Sequence, residues 1–464
     1  MKSKQKMSFR WILLVIAVLP LLFLGGLLLT RLEGSAPVVT HDLDAPFVGA
    51  PRDIVLDILE DGRGLQSVQV VVSQEGKEIL LEETRFEGSM LWGGSGVMSH
   101  RLTVPLDARA LALKDGDARM RIEVRDYSWR NWWHGNQTVE EVPLVVDTRA
   151  PQIEVLSRLH YVNQGGSGAV VYRLSETCPT HGIRVGDRFF PGFPAGDADP
   201  KLMTALFAVA YDQGGDTPVL ASATDFAGNQ TAMGFHCRIR SKAFRKDVLE
   251  ISDTFIRNSM VPLLAAQGGA QADGGDLQAV FLAVNREMRQ ANYETLTALG
   301  RRSAGEKLWE GAFLRLPNAA NRAQFADHRT YRYQGAVIDR QVHLGIDLAS
   351  IQQAPVPAAN SGRVVFADNV GIYGNTVVID HGLGLFSLYS HLSSIAAAAG
   401  TRVTKGDVLG HTGTTGLAVG DHLHYGMMVH DTFVNPIEWW DAHWIDDNIV
   451  NKLALVPQNT PKQN

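Results

Sequence analysis

The chain opens on polar and basic residues and then turns wholly apolar. Lys2, Lys4, Lys6 and Arg10 precede an uncharged run over residues 11–29. A helical run of that length spans a bilayer core. The basic flank predicts a cytoplasmic tail over 1–10, with the rest of the chain outside the cytoplasm. Pro20, Gly25 and Gly26 are tolerated in such a helix. The rival reading is a cleaved signal peptide, whose apolar stretch is shorter, and no small-x-small cleavage site follows Leu29. Residues 67–72, 78–81, 119–124 and 142–146 are β-rich and separated by glycine-containing turns. They predict a β-sandwich module over 36–148. A seam at 146–151 leads into a second β-rich stretch, 149–240. From Lys246 the period turns helical. Val248, Ile251, Phe255 and Ile256 recur at helical spacing up to Pro262, and Leu277, Val280, Phe281, Val284 and Met288 do so again. Gly268, Gly269, Gly274 and Gly275 break the two, giving a helical segment over 241–303. The β pattern returns over 307–445 at 363–367, 376–379 and 385–388, with Gly371, Gly374, Gly382 and Gly384 at the reversals. Residues 446–464 form a polar tail, expected to be disordered from about Pro457.

The two β-rich stretches echo each other. Asp126-Tyr127 is followed by Gly135-Asn136-Gln137-Thr138, and Asp225-Phe226 by Gly228-Asn229-Gln230-Thr231. Both resemble the penultimate hairpin of bacterial immunoglobulin-like modules, which serve as spacers or docking surfaces. Both also match the N-glycosylation acceptor pattern, but the repetition reads as a hairpin feature. Trp129, Trp132 and Trp133 are read as packing between modules, with stacking on sugars or a partner as the alternative. Cys178 and Cys237 lie in the second module; a disulfide or two buried thiols are both open readings.

Composition changes this picture little. The 464 residues suffice for three or more domains, and the net charge of −6 with no basic, aromatic-interleaved stripe argues against a nucleic-acid role. The histidines change it more. Of 15, nine fall after residue 327. Histidine is the commonest metal ligand and proton shuttle near neutral pH. His422 and His424 share a face if that segment is a strand. His343 and Asp347 are four apart, and Gly345 places them at a strand end running into a turn. Two imidazoles and one carboxylate, with one position open to water, match catalytic zinc. One histidine of the 422/424 pair would be a ligand and the other an acid/base group; spacing leaves open which is which.

Five blocks then point to a family: His343-Leu-Gly-Ile-Asp347, Val378 to Gly382, Leu388-Tyr389-Ser390-His391-Leu392-Ser393, Val403 to Asp407, and Gly413 onward to His422-Leu-His424-Tyr425. In this order they resemble the lysostaphin/LytM-type zinc metallopeptidases, which cut peptide bonds in peptidoglycan. The resemblance implies an antiparallel sheet with zinc in a groove, held by His343, Asp347 and His424. It implies that His391 and His422 flank the zinc and act on the water or the transition state. His411 and His430 match no ligand position, His381 reads as a structural histidine in a turn next to Asp380, as in the family pattern, and His328 as a surface or groove residue; Gly410, Gly413 and Gly416 read as turn glycines, and Trp439, Trp440 and Trp444 read as packing. The expected fold is thus multidomain and mainly β: a transmembrane helix, two immunoglobulin-like β-sandwich modules, a short helical segment and a C-terminal LytM-type antiparallel-sheet metallopeptidase domain. The expected function is zinc-dependent hydrolysis of peptidoglycan cross-links from the periplasmic side of the inner membrane. The alternative is a non-catalytic peptidoglycan-binding scaffold or activator of another hydrolase. A site-specific protease of an extracytoplasmic protein is a third. A protein regulator that uncovers the groove is a further expected partner.

Overall fold

The computed structural model describes residues 9–43, 45–90, 93–196, 199–266, 268 and 275–455. Lys2, Lys4, Lys6, Gly269, Gly274 and the tail from Pro457 lie outside the described residues. The chain divides into two compact units, 1–150 with 224–230, and 151–223 with 231–464.

The first unit begins with the apolar run, a helix over Phe9–Arg31 with Pro20 inside it. Its stretch Leu13–Arg31 is long and apolar enough to cross a membrane, and none of it is buried against protein. Alternation then builds two antiparallel-dominated sheets. One holds Val38–His41, Arg52–Leu59 and Ser99–Leu106; the other holds Phe47–Val48, Gln137–Val146, Gly116–Asp126, Leu65–Gln74 and Lys77–Arg85. Ile54, Leu56 and Ile58 of the first sheet share one core with Val68, Val70, Met120, Ile122 and Leu144 of the second. Every second residue turns inward, as a strand requires.

The Asp–Asn echo is one hydrogen-bonding device used twice. Asn136 donates its backbone N–H to Asp126 Oδ1 (2.6 Å) and its side-chain amide to Oδ2 (2.8 Å). Asn229 does the same to Asp225, at 2.9 and 2.9 Å. All four residues are buried. Each carboxylate thereby accepts from both nitrogens of its asparagine.

In the second unit, strands between Ile153 and Arg240 share a single buried cluster with the C-terminal sheet, in which Tyr172 and Phe207 join Trp309, Leu388 and Trp439. Polar groups lock the two parts together. Glu438 accepts from Asn163 Nδ2 (2.7 Å) and Ser167 N (3.1 Å), and Trp439 Nε1 donates to Ser167 Oγ (3.1 Å).

The first helical stripe is corrected by the structure. Lys246–Ile251 is a strand, paired parallel to Asp327–Tyr333. Val248 and Ile251 are β-branched and the run is short, so tertiary pairing decides its state. Ser252 then caps a helix over 253–266, its hydroxyl accepting from Phe255 N. The second stripe is helical over 277–299, with Leu277, Val280, Phe281, Val284 and Met288 buried. Asp276 caps it.

The C-terminal sheet has the order Ala320–Ala323, Ile346–Ala349, Leu423–Val429, Leu385–Leu392, Asn375–Asp380, Gly362–Asn369 and Arg402–Val403, with Thr432–Val434 paired to Leu423–Val429. Its central strands are buried on both faces, so they read as apolar runs instead of alternating ones.

Candidate active site

Strand register brings the distant residues together. Asp347 and His424 are direct partners across adjacent antiparallel strands, and Ser390, one residue before His391, pairs with His424 from the other side. His343 ends the preceding strand, Ala336–His343. Gly345 makes the close turn possible: a Cβ there would lie 2.5 Å from His424 Cε1 and 2.8 Å from the Tyr425 carbonyl oxygen.

The result is a compact donor set. His343 Nε2 lies 3.0 Å from Asp347 Oδ1 and 3.0 Å from His424 Nδ1, and His424 Nδ1 lies 2.9 Å from Asp347 Oδ1. One ligand atom from each of the three falls within 4.8 Å of the others. His343 Nδ1 faces the Gln324 carbonyl at 2.9 Å, which takes its N–H and leaves the Nε2 lone pair for the site. Burial raises the Asp347 carboxyl, but His343 and His424 outweigh it and hold the group well below the usual carboxylate range. Burial lowers His424 to about 4, so its ring is neutral at pH 7. Two imidazoles and one carboxylate converging at this range fit a divalent cation such as zinc.

His391 and His422 stand beside this set. Their ring centroids are 4.8 Å apart, and His422 Nε2 is 3.7 Å from Asp347 Oδ1. Each has one ring nitrogen tied to a backbone carbonyl: His391 Nδ1 to Thr415 (2.8 Å), His422 Nδ1 to Gly420 (2.7 Å). Burial, then His422 and His424, lower His391 to about 3. His391 also has a φ of 64°, a left-handed conformation that costs a non-glycine residue of order 1 kcal/mol or more.

All five residues open into one groove of about 1410 Å³. Its walls include side chains with no sequence signal for a site. Arg329 reaches Asp347 Oδ2 at 3.5 Å. The Tyr373 ring stands edge-on to His424, 5.4 Å between centroids. Arg289 and Tyr293 come from the 277–299 helix, so the helical segment forms part of the groove. Tyr373 sits on a turn between Gly371 and Gly374, both at positive φ. The remaining histidines lie elsewhere. His381 is buried between the Ser361 carbonyl and Ser387 Oγ, His430 is buried against Phe190 and Phe193, and His411 is exposed.

Comparison with protein families matches residues 341–436 to Peptidase family M23. The DD-carboxypeptidase/endopeptidase Mpg of Neisseria meningitidis is 40% identical over 107 residues, 23% of this chain and 25% of that protein. The peptidoglycan DD-endopeptidase ShyA of Vibrio cholerae is 38% identical over 96 residues, 21% of this chain and 22% of that protein. The chain thus spans about a quarter of the length of the curated relatives it matches. Among solved structures, the catalytic domain of lysostaphin from Staphylococcus simulans is 27% identical with a TM-score of 0.24, covering 28% of this chain and 98% of that one. By the sequence match, the C-terminal part of the chain carries a peptidase family M23 domain of the lysostaphin/LytM type.

Proposed function

We propose that the chain is a zinc endopeptidase that hydrolyses the peptide cross-links of peptidoglycan. The observation that carries this reading is the convergence of His343, Asp347 and His424 within 4.8 Å, with His391 and His422 at the same opening. His343 Nε2, His424 Nδ1 and an Asp347 oxygen would hold the ion. When bound, zinc with three protein ligands activates a water near neutral pH and polarises the scissile carbonyl.

The chain's own residues do the rest. The carbonyls of Thr415 and Gly420 fix the rings of His391 and His422, so that both Nε2 atoms serve the reacting peptide. One Nε2 accepts the proton of the attacking water and passes it to the leaving nitrogen. The other, its Nδ1–H already given to a carbonyl, donates from Nε2 to the oxygen that gains charge only in the doubly protonated form of its ring. The groove wall supplied by the 277–299 helix orients the peptide. The family match and the activities for which the two relatives are named support the substrate class.

The apolar helix over Phe9–Arg31 anchors the enzyme in the inner membrane, with the catalytic unit on the periplasmic side. A protein regulator acting on the groove wall fits the same arrangement. Incubation of the zinc-loaded full chain with purified peptidoglycan tests the activity. New free amines and split cross-linked muropeptides are expected. Intact cross-links after prolonged digestion with the zinc-loaded chain would reject it.

A further inference from the structure

The loop that follows the Gly116–Asp126 strand holds three tryptophans and grips the chain where the apolar helix ends. Trp129 N donates to the carbonyl of Arg31, the helix's last residue, at 2.8 Å. Arg130 Nε donates to Leu32 O at 3.2 Å, and Ser128 Oγ to Glu33 O at 2.9 Å. Asn136 Nδ2 donates to Ser35 O at 3.0 Å. The loop and the helix end are therefore at one level.

The loop is also built to project indoles outward. Asn131, Trp132 and Trp133 have φ values of 49°, 56° and 72°, three successive non-glycine residues in the left-handed region. Each such residue is held at a cost, which persists where the surroundings or a function require it. Trp133 stacks on Trp129 with centroids 4.7 Å apart, and Arg31 lies 5.9 Å from the Trp129 ring. Trp132 is 90% exposed and Trp133 50%. The expectation that these tryptophans are buried by packing thus fails for Trp132. A large indole left in water loses the free energy that burial of its area would give.

We propose that this loop is a lipid-surface anchor, with Trp132 and Trp133 seated in the headgroup layer next to the emerging helix. The inference rests on the reading of Phe9–Arg31 as a membrane span. If the span ends at Arg31, the hydrogen bond from Trp129 puts the loop at the membrane–water boundary. Tryptophan concentrates there because its ring is amphipathic. Arg31 and Arg130 flank the indoles and suit lipid phosphates. The anchor fixes the first β-sandwich on the bilayer as a second point of attachment beside the helix.

The test uses the full chain in vesicles of phosphatidylethanolamine and phosphatidylglycerol, with lipids brominated close to the headgroup as quenchers. Fluorescence of the native chain minus that of W132Q, and minus that of W132Q with W133Q, isolates the loop. W132Q alone alters an exposed side chain and keeps the fold. The difference emission is expected to lose about half its intensity or more to the quencher, as for an interfacial indole. Unquenched difference emission, in protein that resists carbonate extraction, overturns the anchor and leaves the span intact. Release of the native chain by carbonate overturns the span and the anchor together. Unquenched indoles whose loss weakens binding to purified peptidoglycan would assign the loop to glycan stacking and also overturn the anchor.

Discussion

His343, His391 and His422 each have one ring nitrogen occupied by a backbone carbonyl, so the orientation of those rings is set before substrate arrives. His391→Ala and His422→Ala remove groups that stand beside the donor set without belonging to it. Each should lower turnover by about 10²–10⁴-fold while zinc content stays native. Steady-state rates with metal analysis on the same preparations check this; loss of zinc in either variant would move that residue into the ligand set. Gly345→Ala acts differently. Its Cβ would meet His424 Cε1 at 2.5 Å and so push the ring or the turn aside. Zinc affinity, measured by competition with a chelator, should fall by about tenfold to a hundredfold; unchanged affinity would show the turn yielding freely. That His422 and His424 enter one space was legible in the i, i+2 alternation, and Gly345 announced the turn beside them. Tyr373 and Arg329 were not legible, because each reaches the site from a segment whose place only tertiary packing fixes.

At the scale of elements, the 277–299 helix sets the groove by one buried side chain. Asn292 Oδ1 accepts from Ile372 N at 2.8 Å and sits where a side chain on Gly371 would be, so it holds the turn that carries Tyr373. Asn292→Ala leaves Ile372 N unsatisfied and frees that turn. Turnover is expected to fall by about tenfold to a hundredfold with zinc still bound; native kinetics would remove the helix from the account of the groove. The helix itself was written in a stripe of five apolar residues at helical spacing. The strand Lys246–Ile251 was not, since Val248 and Ile251 are three apart, a helical spacing that places them on opposite faces of a strand, and the partner strand decided. The repeated Asp–Asn hairpin was visible as a sequence echo, and its cause is the same pair of hydrogen bonds from Asn136 and from Asn229.

Across the whole molecule, buried titratable groups give stability a pH dependence of known sign. Burial lowers His160, His381 and His430 each to about 4. Unfolded histidine titrates near 6.5, so below that pH the unfolded chain binds more protons and stability falls toward 4. By pH 5.5 each should cost about 1 kcal/mol. Glu438 opposes them: burial raises it to about 7, so its contribution is present in acid and is lost as pH rises from 4.5 through 7. For the zinc-free chain in detergent, the thermal midpoint should be lower at pH 5.5 than at 7.5, and the gap should widen in Glu438→Gln. A midpoint that rises in acid would contradict this. The most direct measurement of the account is zinc content and peptidoglycan hydrolysis on the native chain and His343→Ala side by side. One zinc per native chain with new free amines is predicted, and both should be lost together in the variant. Hydrolysis at the native rate by a zinc-free His343→Ala chain would contradict the account.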